Sequence, residues 1–299
     1  MAGPLEGKGR VYKILHREDL VSNVHMLDIE APAVARKALP GQFVVLRVDE
    51  RGERIPVTVA DYDRAAGTVT VVVMAVGTTT RKLAMLKEGD ALPTFVGPLG
   101  NPTHVDRFGT VVCIGGGVGT AMTYPVARAM RQAGNEVVTI AGWRNQGLIF
   151  WEDRLREVSD ELIVCTDDGS CGRKGVVTNP LQEMLEAGRR VDLVIAIGPA
   201  IMMKFVSLTT KPHGVKTVVS LNPIMIDGTG MCGGCRVEVG GETKFACVDG
   251  PEFDGHLVDW DLLFQRQRSY LDQERQSLAL FEQHVCRIDG KLATAPTAP

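Results

Sequence analysis

The chain lacks several features that would settle its class at once. No stretch approaches the ~18 consecutive apolar residues of a membrane span, although 44% of its 299 residues are hydrophobic. Charge of one sign is also missing: 33 Lys and Arg stand against 36 Asp and Glu, a formal net charge of −3. That balance leaves neither the electrostatic footprint of a nucleic-acid binder nor a polybasic membrane patch. The opening residues Met1-Ala2-Gly3-Pro4-Leu5-Glu6 have no secretory apolar core. An even cysteine count, the mark of a disulfide framework, is absent too, because there are seven. These absences predict a soluble cytoplasmic protein in a reducing compartment, with Cys113, Cys165, Cys171 and Cys286 as free thiols. The length allows two domains with real cores.

The other three cysteines lie in Asp227 to Cys247, D-G-T-G-M-C-G-G-C-R-V-E-V-G-G-E-T-K-F-A-C, where Asp227, Cys232, Cys235 and Cys247 follow D-x4-C-x2-C-x11-C. Plant-type ferredoxins hold a 2Fe-2S cluster with C-x4-C-x2-C and a distant fourth cysteine. Here an aspartate takes first place. Glycines 228, 230, 233 and 234 suit a loop that must adopt left-handed backbone and bring amides close to sulfur. Zinc is an alternative, but a second tight ligand pair is missing. A thioredoxin-like dithiol is another, and it leaves Cys247 and the glycines without a role.

From about Gly9 to Pro102, short β-rich segments alternate with turns: Val11 to Leu15, Val24 to Ile29, Phe43 to Val48, Ile55 to Val59 and Thr68 to Met74. They predict a small antiparallel barrel. In Arg54-Ile55-Pro56-Val57-Thr58 a cation, a rigid proline and a hydroxyl share one strand. Met74 and Val76 lead into Gly77-Thr78-Thr79-Thr80 and a short helix from Arg81, and a glycine with hydroxyls at a helix start suits a pyrophosphate. The plainer reading is a solvated edge arginine and ordinary threonine caps.

A different pattern begins at Thr110. The apolar strand to Ile114 runs into Gly115-Gly116-Gly117-Val118-Gly119-Thr120 and a helix over Met122 to Ala133, the strand, glycine turn and helix of a phosphate cradle. The full G-x-G-x-x-G fingerprint and its following acid are absent, and Arg144 stands after the second strand instead. Further strands at Glu161 to Cys165 and Val191 to Ile197 predict a doubly wound parallel sheet. Asp168 and Gly169 follow one of them, and Gly198, Pro199 and Met202 the other. Ligands bind at such carboxyl ends, although an acidic turn and ordinary helix packing of methionine explain Asp168 and Met202 equally well. Cys171 has no base beside it in sequence.

In the order R-I-P-V-T, G-T-T-T, G-G-G-V-G-T-A, T-D-D-G-S-C-G-R-K-G, I-G-P-A-I-M-M-K and D-G-T-G-M-C-G-G-C, covering about residues 10 to 285, the chain resembles the ferredoxin-NADP reductase superfamily. Within it, the chain is similar to the electron-transfer subunit of dihydroorotate dehydrogenase. It looks closer still to the small subunit of NADH-dependent reduced ferredoxin:NADP oxidoreductase, also seen as the sulfide dehydrogenase small subunit. The dihydroorotate family uses cysteine where this chain has Asp227. The resemblance implies an FAD-binding barrel over residues 1–102, an NAD(P)-binding α/β domain over 103–222, a 2Fe-2S module over 223–256, and a C-terminal helix and tail over 257–299. It implies FAD held by Arg54, Pro56, Val57, Thr58, Met74, Val76 and Gly77 to Thr80. NAD(H), with NADP(H) also open, would lie on Gly115 to Thr120, Asp168, Gly169, Gly198, Pro199 and Met202. The cluster would be bound by Asp227, Cys232, Cys235 and Cys247. No tyrosine fills the stacking position of the superfamily's R-x-Y-S string.

The implied partner is a larger flavin and 4Fe-4S subunit that performs electron bifurcation, with ferredoxin reached indirectly. The cofactors would supply the chemistry, so no side chain is assigned as catalytic. Delivery to a dihydroorotate- or sulfide-oxidising partner is the alternative, and a redox-sensing regulatory module is one of another class. The stretch Trp260 to Gln283 predicts a helix that docks on its own chain or on a partner. Lys291 to Pro299 reads as disordered.

Overall fold

The computed structural model describes residues 11–50 and 52–288, with side chains as far as 283. The expectations for Met1 to Glu6, for Lys291 to Pro299 and for the Cys286 thiol lie outside these.

The N-terminal strands are β1 (Tyr12–Val21), β2 (Val24–Glu30), β3 (Phe43–Arg47), β4 (Ile55–Asp63), β5 (Thr68–Met74), β6 (Ala91–Leu92) and β7 (Thr94–Leu99), with helices α1 (Pro32–Ala35) and α2 (Thr78–Met85). They pair antiparallel in the order β6-β1-β2-β5-β4-β3-β7. Only Pro93 separates the two edge strands in the chain, so the sheet curls into a nearly closed barrel around Leu27, Ile29, Leu46, Val59, Val71 and Phe95. β1 and β4 run beyond their expected ends at Leu15 and Val59. The extra residues of β1, such as His16, Glu18 and Asp19, pair in the ladder while exposed, so hydrophobic pattern alone does not reveal them.

The second sheet contains β8 (Thr110–Gly116), β9 (Glu136–Trp143), β10 (Glu161–Thr166), β11 (Arg173–Lys174), β12 (Leu193–Ile197) and β13 (Thr217–Ser220). With them run α3 (Gly119–Gln132), α4 (Glu152–Glu157), α5 (Thr178–Glu186) and α6 (Ala200–Thr210). The parallel order β11-β10-β9-β8-β12-β13 confirms the doubly wound expectation. β8 and β12 are buried along their whole lengths, as strands covered on both faces must be. Val111 and Cys113 face α3 and the barrel's Met26, Ala60 and Val72, whereas Val112 and Ile114 face α5 and α6.

Beyond Ser220 the chain forms the cluster loop and the hairpin β14 (Arg236–Val239) and β15 (Glu242–Phe245). It then returns as β16 (Glu252–Asp254), which adds antiparallel to β13 at the edge of the parallel sheet. One apolar core runs from α5 and α6 through Val219, Leu221 and Met225 to Cys235 and Cys247, and includes Phe43 and Val45 of the barrel. The C-terminal stretch is two helices, α7 (Trp260–Gln267) and α8 (Leu271–Ile288), rather than one. Asp259 caps α7 by accepting from the Leu262 amide at 2.9 Å. No helix among the described residues is long and apolar enough to cross a membrane.

Candidate functional site

In the cluster loop, Gly228, Gly230 and Gly233 have φ of 77°, 84° and 65°, backbone that other residues adopt at a cost. A Cβ on Gly228 would also lie 2.8 Å from Leu99 Cδ1, so the loop seats directly on the barrel. The four expected ligands fall into two pairs. Cys232 Sγ lies 3.5 Å from Asp227 Oδ1, and Cys235 Sγ lies 3.2 Å from Cys247 Sγ. The Gly234 amide donates to Cys232 Sγ and the Cys247 amide to Cys235 Sγ, each at 3.4 Å. Such amide contacts to sulfur are what a thiolate ligand requires.

No group of three or more His, Cys, Asp or Glu side chains converges on one ion position among the described residues. A tetrahedral zinc site needs that convergence. A binuclear cluster needs two ligands on each of two irons, which is the arrangement of the Rieske variant as well. The Asp227–Cys232 and Cys235–Cys247 pairs fit that two-and-two arrangement. The pairs differ in setting: Cys232 is exposed, Cys235 and Cys247 buried. Burial, then the neighbouring Cys235 thiol, pushes Cys247 up to about 12. Thr229 donates from its amide and hydroxyl to the Asp227 carboxylate at 3.1 and 3.0 Å, and the amide chiefly holds that carboxyl low.

On the barrel, Pro56, Val57 and Thr58 lie on β4, with Thr58 opposite Phe43 of β3, and exposed Arg54 stands just before β4. Met74 and Val76 are exposed at the end of β5. Gly77 caps α2, and Thr80 Oγ1 accepts from the Val76 and Gly77 amides at 3.1 and 3.0 Å. Thr79 donates to Glu53 at 3.1 Å, and Thr78 meets Ser277 of α8 at 3.0 Å. Arg81 pairs with Glu282 at 2.6 Å. α8 thus docks on its own chain, its Ser277 and Glu282 meeting the side chains of Thr78 and Arg81 beside the first turn of α2.

In the α/β domain the glycine loop and the loop after β12 come together. A Cβ on Gly116 would lie 2.4 Å from Met202 Sδ, and one on Gly119 would lie 2.4 Å from Ile197 O. One on Gly198 would meet Gly116 N at 3.1 Å. Gly117, at φ 55°, makes the turn, with Val118 following and Thr120 fully buried. Gly115, Gly116, Gly198, Pro199 and Met202 are therefore one structural unit at the carboxyl end of the sheet. Asp168 and Gly169 stand at the end of β10, beyond β9, where Asp168 Oδ1 accepts from the Ser170 amide and hydroxyl at 2.9 and 2.7 Å. Those bonds hold the Asp168 carboxyl low and are local. Cys113 and Cys165 are buried and their thiols pushed up to about 12 and about 11 by burial, so neither is a reactive thiolate.

Sequence reasoning missed the junction of the three parts. The phenyl ring of Phe43 lies where a Cβ on Gly100 would meet it at 2.8 Å and one on Gly228 at 3.8 Å. Glu252, on β16, accepts from the Thr103 hydroxyl at 2.6 Å. Gly41, at φ 81° in Pro40-Gly41-Gln42, is the signal that could have exposed it, because a Cβ there would lie 2.3 Å from Thr103 Oγ1 and 2.8 Å from Glu252 Oε1.

Comparison with known proteins agrees with this layout. Residues 222–259 match the iron-sulfur cluster binding domain of dihydroorotate dehydrogenase B. A Thermotoga maritima protein, described as a dihydroorotate dehydrogenase B (NAD(+)) electron transfer subunit homolog, is 49% identical over 90% of this chain and 95% of its own. The chain belongs to the family of dihydroorotate dehydrogenase B electron-transfer subunits and their homologues. An uncharacterized Clostridium beijerinckii protein from the adh 3′ region is 50% identical over 88% of this chain and 92% of its own. Among solved structures, one of NADH-dependent reduced ferredoxin-NADP oxidoreductase, described in terms of flavin-based electron bifurcation, superposes with a TM-score of 0.86. It is 47% identical and covers 92% of this chain and 99% of that one.

Proposed function

We propose that the chain is a flavo-iron-sulfur electron-transfer subunit that exchanges hydride between NAD(H) and FAD and passes single electrons through a 2Fe-2S cluster. The recipient is a larger flavin and 4Fe-4S subunit of the ferredoxin:NADP oxidoreductase type, in the cytoplasm. The observation that carries this reading is the paired geometry of Asp227 with Cys232 on the glycine-rich loop and of Cys235 with Cys247 across the base of the β14–β15 hairpin. When bound, the flavin accepts hydride and gives up electrons singly, and the cluster carries them one at a time.

The chain's own residues position and enclose. Asp227, Cys232, Cys235 and Cys247 would ligate iron. Arg54 and the amides at the start of α2 would face the flavin pyrophosphate, with Thr58 on the flanking strand as a hydrogen-bonding group. Gly115 to Thr120 with Gly198, Pro199 and Met202 would seat the nicotinamide nucleotide, and Asp168 with Gly169 would border it further along the sheet. NADP(H) remains an alternative nucleotide, which Arg144 would favour. Aspartate at position 227 favours the ferredoxin:NADP branch of the resemblance over the dihydroorotate branch.

Cys235→Ala tests the order of the relay. It should leave flavin reduction by NADH intact and abolish transfer to one-electron acceptors. Normal transfer to the partner by that variant would overturn the assignment. Orotate formation on reconstitution with a dihydroorotate-oxidising subunit would favour the second reading.

A further inference from the structure

Where barrel, α/β sheet and cluster module meet, one carboxyl is enclosed without a counter-ion. Glu252 lies opposite Ser220 at the carboxyl end of β13. Its Oε1 accepts from Thr103 Oγ1 at 2.6 Å and sits against Gly41, where the chain has no room for a side chain. Gly41 is two residues before Phe43, the partner of Thr58 in the barrel ladder. The groups facing the carboxyl are few. They include the Thr103 hydroxyl from the linker and the Gly41 backbone, with Ser220 opposite in the ladder and the neutral Cys113 thiol of β8 within electrostatic reach. Among the described residues no Lys, Arg or His forms an ion pair with it.

The segment bearing Glu252 is stitched to both neighbours of the cluster loop. The Asn101 amide donates to Gly250 O at 2.7 Å, and the Asn101 side chain to Val248 O at 3.1 Å, next to Cys247. The Leu221 amide donates to Pro251 O at 2.9 Å. Phe253 packs in the same apolar core as Cys235 and Cys247. An isolated carboxylate in such surroundings is costly, and a neutral carboxyl is not. Burial accordingly pushes Glu252 up to about 7, with the Thr103 hydroxyl opposing the shift. As a whole residue Glu252 is only partly buried, so its edge of the junction borders solvent, the source of the proton.

We propose that Glu252 is the proton-holding residue of the electron relay, taking up one proton as the cluster gains an electron and releasing it as the electron leaves. The electron comes from the nicotinamide donor and the proton from solvent. The carboxylate becomes a carboxylic acid as its O–H bond forms, and that bond breaks when the electron passes to the acceptor. Added negative charge in a low-dielectric junction raises the proton affinity of a nearby carboxyl, and this links the two events. The inference rests on the function proposed above.

The test is the reduction potential of the cluster against pH from 6 to 8, followed by paramagnetic resonance in wild type, Glu252→Gln and Thr103→Val. Wild type should fall by up to ~59 mV for each tenfold drop in proton concentration, the value for one electron and one proton. Glu252→Gln should be flat. Thr103→Val, which removes the donor to the carboxylate, should keep the dependence and move its break to higher pH. The redox difference infrared spectrum should show a carboxylic acid C=O band that Glu252→Gln lacks. A flat wild-type profile, or an unchanged profile in Glu252→Gln, overturns the role. Iron and sulfide assays on the same samples separate the failures: a flat profile in iron-replete protein rejects Glu252 alone, whereas iron-free protein rejects the function beneath it as well.

Discussion

Gly119→Ala adds a single methyl group where the glycine turn after β8 packs directly on the backbone of the loop after β12. The new Cβ would lie 2.4 Å from Ile197 O, 2.7 Å from Gly198 Cα and 2.8 Å from Ile197 C. All three are backbone atoms, so no side chain can swing away. Ordinary C···O contacts are about 3.3 Å or longer, so the start of α3 must separate from the loop after β12 by roughly 1 Å. Overpacking of this kind costs ~1–3 kcal/mol, and the better helix propensity of Ala returns at most about 1 kcal/mol. Thermal unfolding should therefore begin roughly 2–8 °C lower. If this loop seats the nicotinamide nucleotide, a shift of that size slows flavin reduction at low NADH by up to about 100-fold. Gly116→Ala meets a movable thioether, Met202 Sδ at 2.4 Å, and should be milder in both respects. The assay is calorimetry with stopped-flow flavin reduction over a range of NADH concentrations. An unchanged unfolding temperature together with an unchanged NADH dependence in Gly119→Ala would refute the packing argument.

Arg128→Met breaks a part-buried ion pair with Asp61 at 2.6 Å and the contacts of Arg128 with the Tyr62 and Tyr124 rings. It should cost ~1–3 kcal/mol in chemical denaturation, between the exposed and buried limits, without loss of iron. Asp227→Cys should retain iron and change the paramagnetic resonance spectrum, and an unchanged spectrum would show that Asp227 is not a ligand. The Thr110 amide, then Arg190, holds the Asp192 carboxyl low. Its stabilising contribution is complete above the unfolded value of about 3.9 and disappears as pH falls through the lower folded value. Asp192→Asn should flatten that acid limb in a pH series of urea melts.

The proposed cluster ligands stand out in the sequence because their spacing is local: three cysteines and an aspartate fall within 21 consecutive residues, Asp227 to Cys247. The barrel and the parallel sheet were legible through alternation and through the fully apolar strands Thr110 to Ile114 and Leu193 to Ile197. The three residues Glu252–Asp254 carry no such pattern, and their partner β13 lies across the whole cluster loop, so β16 could not be read in advance. Nor could the break between α7 and α8, since Arg268-Ser269-Tyr270 contains neither glycine nor proline. The Glu252 junction depends on Gly41, Thr103 and Glu252 meeting from distant parts of the sequence, and only the folded chain brings them together.

The central claim is that the segment from Asp227 to Cys247 holds two irons. The most direct measurement is the iron and acid-labile sulfide content of anaerobically purified protein, with its low-temperature paramagnetic resonance spectrum before and after NADH. Two irons and two sulfides per chain, with a signal that appears on reduction, is the expected result. Protein with full flavin but neither iron nor sulfide, still able to serve its natural acceptor, would contradict it.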